Sequence, residues 1–226
     1  MMAQTSTTIM IAGLIAVSVL AGVGLGMAAT ESGGFNGTGT AVTASSGGNS
    51  SAPFVLHLVI TTENTFNAST GTQPAFYVLG PNGLESSASI ALPAHHLIEV
   101  IITNYDDGNA SLPGPQYATV TGTVSGSELV YNNTNINSTA TSTGIKLGPP
   151  QSVTSVPVGD VSHTFTIPSL NVNIPIAVSS TTVAFFTTGA AGNITWLCEA
   201  ACGSGAAGTS GAMTTAGWMT GALAVS

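Results

Sequence analysis

Basic side chains are all but missing from this chain: Lys146 is the only Lys or Arg in 226 residues, set against nine scattered acids and a formal net charge of −8. With no basic patch to draw phosphates, nucleic-acid binding is excluded. Charged residues make up 4% of the sequence, far below the roughly 25% of an average soluble protein, so Ser, Thr, Asn and Gly must cover the surface. The hydrophobic share is still 43%, enough for a packed core, which argues against charge-driven disorder. Such a surface suits acid. Carboxylates neutralise below about pH 4, whereas a chain rich in Lys and Arg would then repel itself. The expectation is a domain facing an acidic exterior.

Histidine and cysteine are scarce too, with four and two residues respectively. No Gly-rich phosphate loop occurs, since GVGLG falls inside an apolar run, and no Ser/His/Asp arrangement has supporting context. Asp106 and Asp107, with Glu99, raise the idea of paired carboxylates for acid/base work. In the context NYDDGN, however, they read as a turn whose Asp and Asn side chains cap their own backbone. Nothing here specifies an enzyme.

What is present divides into three parts. Residues 1–30 hold the uncharged run IMIAGLIAVSVLAGVGLGMAA, long enough to cross roughly 30 Å of hydrocarbon as a helix. It reads as an N-terminal transmembrane anchor, with an uncleaved signal as the alternative; Gly22 and Gly26 form a small-xxx-small pair that can seat a partner helix. Residues 31–52 are a Gly/Ser/Thr-rich tether. Residues 53–226 carry short β-branched or aromatic runs separated by Gly, Pro, Asn and Asp: FVLHLVITT, AFYVLG, LIEVIITNY, YATVTGTV, HTFTI, TTVAFF and MTGALAV. Seven or eight such strands predict an all-β antiparallel sandwich of Greek-key type. Ser125 to Val156 reads as a long polar loop. Asn-X-Ser/Thr triplets at Asn36, Asn49, Asn67, Asn109, Asn132, Asn137 and Asn193 are candidate glycosylation sites in an exported domain.

Two segments carry a family resemblance. SHTFTIPSLNVNIPI (Ser162–Ile176) resembles the cupredoxin segment in which a copper His begins a strand leading to a proline-flanked crossing. WLCEAACGSGAAGTSGAMTTAGWMTGALAV resembles the end of that fold, where a Cys-containing loop joins the last two strands; ITNYDDGNA and YATVTGTV also suit an archaeal version of it. The resemblance covers roughly Phe54 to Val225 and implies a cupredoxin-like Greek-key β-sandwich. The nearest functional relative it suggests is the copper domain of haem-copper oxidase subunit II, where Cys-x-x-x-Cys-Gly holds a dinuclear centre. On that reading Cys198 and Cys202 match the thiolates, His163 matches the first imidazole, and Met213 or Met219 is the candidate axial thioether. The second imidazole is absent: position 206, where it is expected, is Ala, and a single-copper blue site needs that imidazole as well. His57, His95 and His96 are the remaining histidines from which one could be recruited. The alternative for the cysteines is a Cys198–Cys202 disulfide pinning the loop in an oxidising exterior. Trp196 and Trp218 are expected to pack the core.

The resemblance therefore implies a membrane-anchored, extracytoplasmic, non-catalytic subunit of an archaeal respiratory complex, with other membrane subunits as partners and a degenerate copper site serving assembly. Two alternatives remain open: a copper electron carrier using His163, Cys198 and a Met, and a non-redox glycosylated surface or filament protein that self-assembles through its strand edges.

Overall fold

The computed structural model describes residues 52–62, 73–132 and 150–226. These form two β-sheets with only short 3₁₀ turns between strands. The first sheet contains β1 (Phe54–Thr61), β2 (Ala75–Gly80), β3 (Gly83–Ser86), β5 (Leu97–Asn104), β6 (Glu128–Asn132), β7 (Gln151–Val153) and β10 (Ser180–Thr187), in the order β3-β2-β1-β5-β10-β6-β7. The second contains β4 (Ser89–Leu92), β8 (Val161–Ile167), β9 (Val172–Ala177), β11 (Gly192–Leu197) and β12 (Thr220–Val225), in the order β4-β12-β11-β8-β9.

The period-2 pattern of β5, LIEVIITN, explains its place. Ile98, Val100 and Ile102 are fully buried toward the second sheet, while Leu97, Glu99, Ile101 and Thr103 face outward and are half-buried, as a two-faced strand requires. The inner face meets Phe165, Ile167, Ile174 and Trp196, all fully buried. Phe76, Phe165 and Trp196 form an aromatic cluster with ring centroids 5.1–6.2 Å apart, and the Trp196 Nε1–H donates to the Ser87 carbonyl at 3.2 Å. Strands β8 and β9 are buried at every residue, because the segment after Ala110 lies across their outer side. Thr121 bridges Asn173, and the Asn173 amide donates to the carbonyls of Tyr117 and Thr119.

Several expectations are corrected. The sandwich is not wholly antiparallel, since β1 lies parallel to β5 and β4 parallel to β12; the intervening β2–β3–β4 excursion makes the crossover that parallel pairing needs. YATVTGTV is not a strand. Pro115–Ala118 is a 3₁₀ turn, and Thr119 and Thr121 make only isolated bridges. Gly122, at φ +68°, lies against the Asn171 backbone where a side chain would clash. Ser125–Val156 is not all loop: ELVYN has strand alternation and pairs with β10, and β7 pairs with β6. The residues after His163 do not cross between sheets. They turn at Pro168–Leu170, pass through Asn171 at φ 52°, and return as β9 beside β8. β3, β4, β9 and β11 were not foreseen as strands.

The N-terminal anchor, with Gly22 and Gly26, and the candidate sequons Asn36, Asn49, Asn67 and Asn137 lie outside the described residues, as does all of the tether but Ala52. Among the described residues no helix is long and apolar enough to cross a membrane. Asn109 and Asn193 are exposed, although the Asn109 amide donates to the Gly159 carbonyl at 2.8 Å; Asn132 ends β6.

Candidate metal centre

Three of the expected donors meet. His163 stands near the start of β8, where the β8–β9 register shifts between Val161 and His163, an irregularity of the kind that re-aims a side chain. Phe76 packs against its ring edge-on, with centroids 6.1 Å apart. Cys198 follows β11 directly, and Cys202 comes four residues later in the loop that returns to β12. Backbone bonds shape this loop: Cys198 N–H donates to the Met219 carbonyl at 2.8 Å, Ala201 N–H to the Ser111 carbonyl at 2.8 Å, and Cys202 N–H to the Ala200 carbonyl at 2.8 Å. The Glu199 N–H donates to Thr164 Oγ1 at 2.8 Å, tying the loop to β8. A side chain at Gly203 would collide with the Ser210 carbonyl and the Met213 Cγ, so the glycine after Cys202 is required by the loop's own close approach.

His163 Nδ1 lies 3.0 Å from Cys202 Sγ, the two sulfurs are 3.5 Å apart, and the three donor atoms all lie within 4.8 Å of one another. The Thr164 N–H also points at Cys198 Sγ, at 3.4 Å. Both cysteines are free. The Cys198–Cys202 disulfide expected from the spacing is not formed in this structure, because the sulfurs converge on the imidazole at a separation well beyond the ~2.05 Å of an S–S bond.

The residue that sequence reasoning missed is Asp106. Its Oδ2 lies 3.1 Å from His163 Nε2, while its Oδ1 accepts the Gly108 N–H at 2.8 Å in the expected turn. Both functions coexist: the turn cap fixes the carboxylate and the carboxylate fixes the ring. Buried Asn104 completes the brace, its Oδ1 accepting the Asp106 N–H at 3.0 Å and its amide donating to the Ala177 carbonyl at 2.9 Å. The clue in the sequence was an acid two residues after an Asn in a chain with only nine acids; what hid it was that its partner lies 57 residues away.

The electrostatics follow from these contacts. Burial of His163 disfavours its charged form, but the hydrogen bond to Asp106 and the bond to, and charge of, Cys198 outweigh it and push the pKa up to about 9. Burial likewise opposes ionisation of Cys198; the hydrogen bond from Cys202 and the imidazolium overcome it and hold the thiol well below its usual range. Cys202, bonded to that thiolate and largely buried, is pushed up. These contacts favour a thiolate at Cys198 beside an Asp106-braced imidazolium, with the proton of the pair on Cys202.

The other candidates are elsewhere. His57 faces outward from β1, its Nε2 3.3 Å from Thr103 Oγ1. His95 sits in a turn at φ 50°, and His96 Nε2 lies 3.2 Å from the Ala52 carbonyl. Among the described residues none of these three joins His163. Met219 is fully buried in the core. Met213 lines, with Cys198 and Glu199, a cleft of about 470 Å³ walled by Leu112 and Pro113. Glu99 faces outward on β5, and Asp107 is exposed.

One imidazole and two sulfurs make a soft donor set of the kind that takes Cu(I) or Zn(II). Metal–sulfur bonds of about 2.3 Å and metal–nitrogen bonds of about 2.0 Å let a single ion reach all three donors at these separations. The cluster is compatible with copper, without the second imidazole of a blue or dinuclear site.

No known protein family matches the chain, and no curated protein matches it in sequence. Solved structures similar to it include the following three. A multicopper oxidase aligns over 76% of this chain at 13% identity and a TM-score of 0.36; the chain spans 44% of that protein's length. The periplasmic domain of subunit II of cytochrome oxidase (CoxB) of Bradyrhizobium japonicum aligns over 76% of this chain and 83% of its own, at 11% identity and a TM-score of 0.33. Rusticyanin from Thiobacillus ferrooxidans aligns over 77% and 79%, at 13% identity and a TM-score of 0.30.

Proposed function

We propose that the chain is a cupredoxin-like, extracytoplasmic copper-binding domain that holds one copper ion at His163, Cys198 and Cys202. The observation that carries this reading is the convergence of three soft donors in a buried pocket, from β8 and from the β11–β12 loop, with Nδ1 turned toward the sulfurs and Nε2 bound to Asp106. Copper in such a site supplies one-electron redox chemistry. The protein's part is to prepare the donors. Asp106 fixes the ring orientation through Nε2 and leaves Nδ1 as the nitrogen facing the metal, with the Nδ1 proton displaced on binding. Phe76 and the core keep water from the imidazole. The loop braces at Thr164, Met219 and Gly203 hold the sulfurs in place before any ion arrives. The thioether of Met213, on the wall of the cleft that reaches Cys198, is the candidate fourth donor.

The finer context rests on the N-terminal sequence and on the Cys-x-x-x-Cys-Gly spacing: an anchored domain on the outer side of an archaeal membrane, working as a non-catalytic subunit beside other respiratory subunits. A second reading, an assembly subunit that has lost its metal, draws on the lack of a second imidazole near His163 among the described residues. Copper titration of the reduced full chain in mild detergent, against a chromophoric Cu(I) chelator, separates the two. One copper per chain, with both thiols becoming unreactive and with binding lost in Cys198→Ser, supports the copper reading; no copper retained by protein with two free thiols supports the second.

A further inference from the structure

The ladder between β11 and β8 consists of a single pair, Leu197 with Thr166. The register of that pair sets Glu199 opposite Thr164, where an antiparallel ladder would exchange two backbone N–H to carbonyl bonds. Both N–H groups go to side chains instead. Glu199 N–H donates to Thr164 Oγ1 at 2.8 Å, and Thr164 N–H donates to Cys198 Sγ at 3.4 Å. Thr164 therefore holds Cys198 twice, by its sulfur and by the peptide that follows it.

The Thr164 hydroxyl is itself held. Its Oγ1 lies 3.0 Å from Thr166 Oγ1, and Thr166 Oγ1 donates to Asn173 Oδ1 at 2.8 Å. A hydroxyl has one proton. Thr166 spends its proton on Asn173, so Thr164 is the donor to Thr166 and keeps its lone pairs for the Glu199 N–H. The Asn173 amide gives its two protons to the carbonyls of Tyr117 and Thr119, at 3.0 and 2.8 Å, which turns Oδ1 toward Thr166. The bonds thus run one way, from the peptide after Cys198 through Thr164 and Thr166 to Asn173, and the segment crossing β9 fixes the far end. All three side chains are buried, where losing a partner costs most.

We infer that Thr166 and Asn173 are positioning residues for Cys198: through Thr164 they hold its sulfur beside His163 and Cys202. The inference rests on the copper reading only in taking Cys198 as a ligand, because the placement of the sulfur can be measured without metal. Thr166→Val in the full chain, reduced and in mild detergent, cuts the relay in the middle and leaves the Asn173 bonds to Tyr117 and Thr119 in place. Two readouts apply. One is the rate at which N-ethylmaleimide alkylates Cys198 in the folded, metal-free protein, resolved from Cys202 by mass spectrometry; the other is Cu(I) affinity in competition with a chromophoric chelator. Alkylation is expected to quicken and affinity to weaken, each by about 3- to 10-fold, the worth of one hydrogen bond. Thr166→Ser keeps the hydroxyl and should restore both. Thr164→Val should act in the same direction, and it supplies the same readouts if Thr166→Val does not fold. Ile98→Val, which removes a buried methyl group from β5 at a comparable cost in stability, is the comparison and should leave both readouts within about two-fold of wild type. Alkylation of Cys198 in the Val variants that matches wild type, rises no more than in Ile98→Val, or is not restored by Thr166→Ser overturns the inference. The expected alkylation pattern in protein that binds no copper in any variant upholds the placement of Cys198 and refutes the copper reading instead.

Discussion

Glu128 provides a test of how this domain responds to pH. It lies on β6 opposite Val153, facing inward with Val130 while Leu129 and Tyr131 face out. Only 2% of its surface is exposed, and neither carboxylate oxygen has a hydrogen-bond partner. Burial therefore holds its pKa well above the ordinary 4.5. An acid whose pKa is raised on folding binds more protons in the folded state than in the unfolded one. Its stabilising effect is complete below about pH 4.5 and declines as pH rises toward the folded-state pKa, by about 1.4 kcal/mol per pH unit. Two units of such a slope is a large share of a total stability of roughly 5–15 kcal/mol. Glu128→Gln keeps the shape and removes the titration, so its stability should lack this part of the pH dependence. Glu128→Met removes the unpaired polar group as well and should add about 1–3 kcal/mol at acidic pH. The measurement is urea unfolding of the full chain in mild detergent, followed through Trp196 and Trp218, in steps from pH 4 to pH 7. Asp106 contributes in the opposite direction, since its folded-state pKa is lowered and its effect is lost as pH falls. It is present in every variant, so the difference between wild type and Glu128→Gln isolates Glu128. Equal pH slopes in the two proteins would refute the argument, because they would mean that the carboxyl is hydrated or paired in solution.

Other outcomes follow from the centre and its loop. Asp106→Asn should weaken copper binding by about 10–100-fold, the usual cost of losing an outer partner of a ligating His, and should lower the His163 pKa from about 9, read by the same chelator competition and by NMR titration of the imidazole in metal-free protein. In the metal-free chain the raised His163 pKa contributes stability that declines as pH rises from about 6.5 toward 9, and the lowered Cys198 pKa contributes with the opposite sign. Cys198→Ser removes the opposing contribution and also one of the groups that raises His163, so the His163 slope should appear but end below pH 9, read by unfolding at stepped pH. Gly203→Ala should destabilise the domain by about 1–3 kcal/mol and lower copper occupancy, since the new methyl meets the Ser210 carbonyl. Trp196→Phe leaves the Ser87 carbonyl without its indole donor and should cost about 1–3 kcal/mol, measured by thermal unfolding.

Much of the centre was legible in linear order. The Cys-x-x-x-Cys-Gly run and a His opening a β-rich segment named three donors that the fold brings within 4.8 Å. Asp106 was not legible, because a carboxylate in an Asn/Asp/Gly turn looks the same whether or not a buried imidazole lies beyond it. The axial Met was likewise undecidable. Met213 and Met219 are six residues apart, and only the 3₁₀ turn at Gly211–Thr214 puts one on the cleft wall while the other enters the core. YATVTGTV shows the reverse failure: its β-branched alternation is genuine, yet the prolines before it and Gly122 within it favour a strap across β9 over a place in a ladder.

The sequence by itself determined the β character, the alternation that gives β5 and β10 an inner face, and the poverty of charge, because side-chain period and composition are local properties of the chain. Which strands run parallel, which carboxylate braces His163, and whether the sulfurs meet the imidazole were decided only by tertiary structure. Each depends on register between segments tens of residues apart, and hydrogen-bonded register is fixed by the packing of both sheets together.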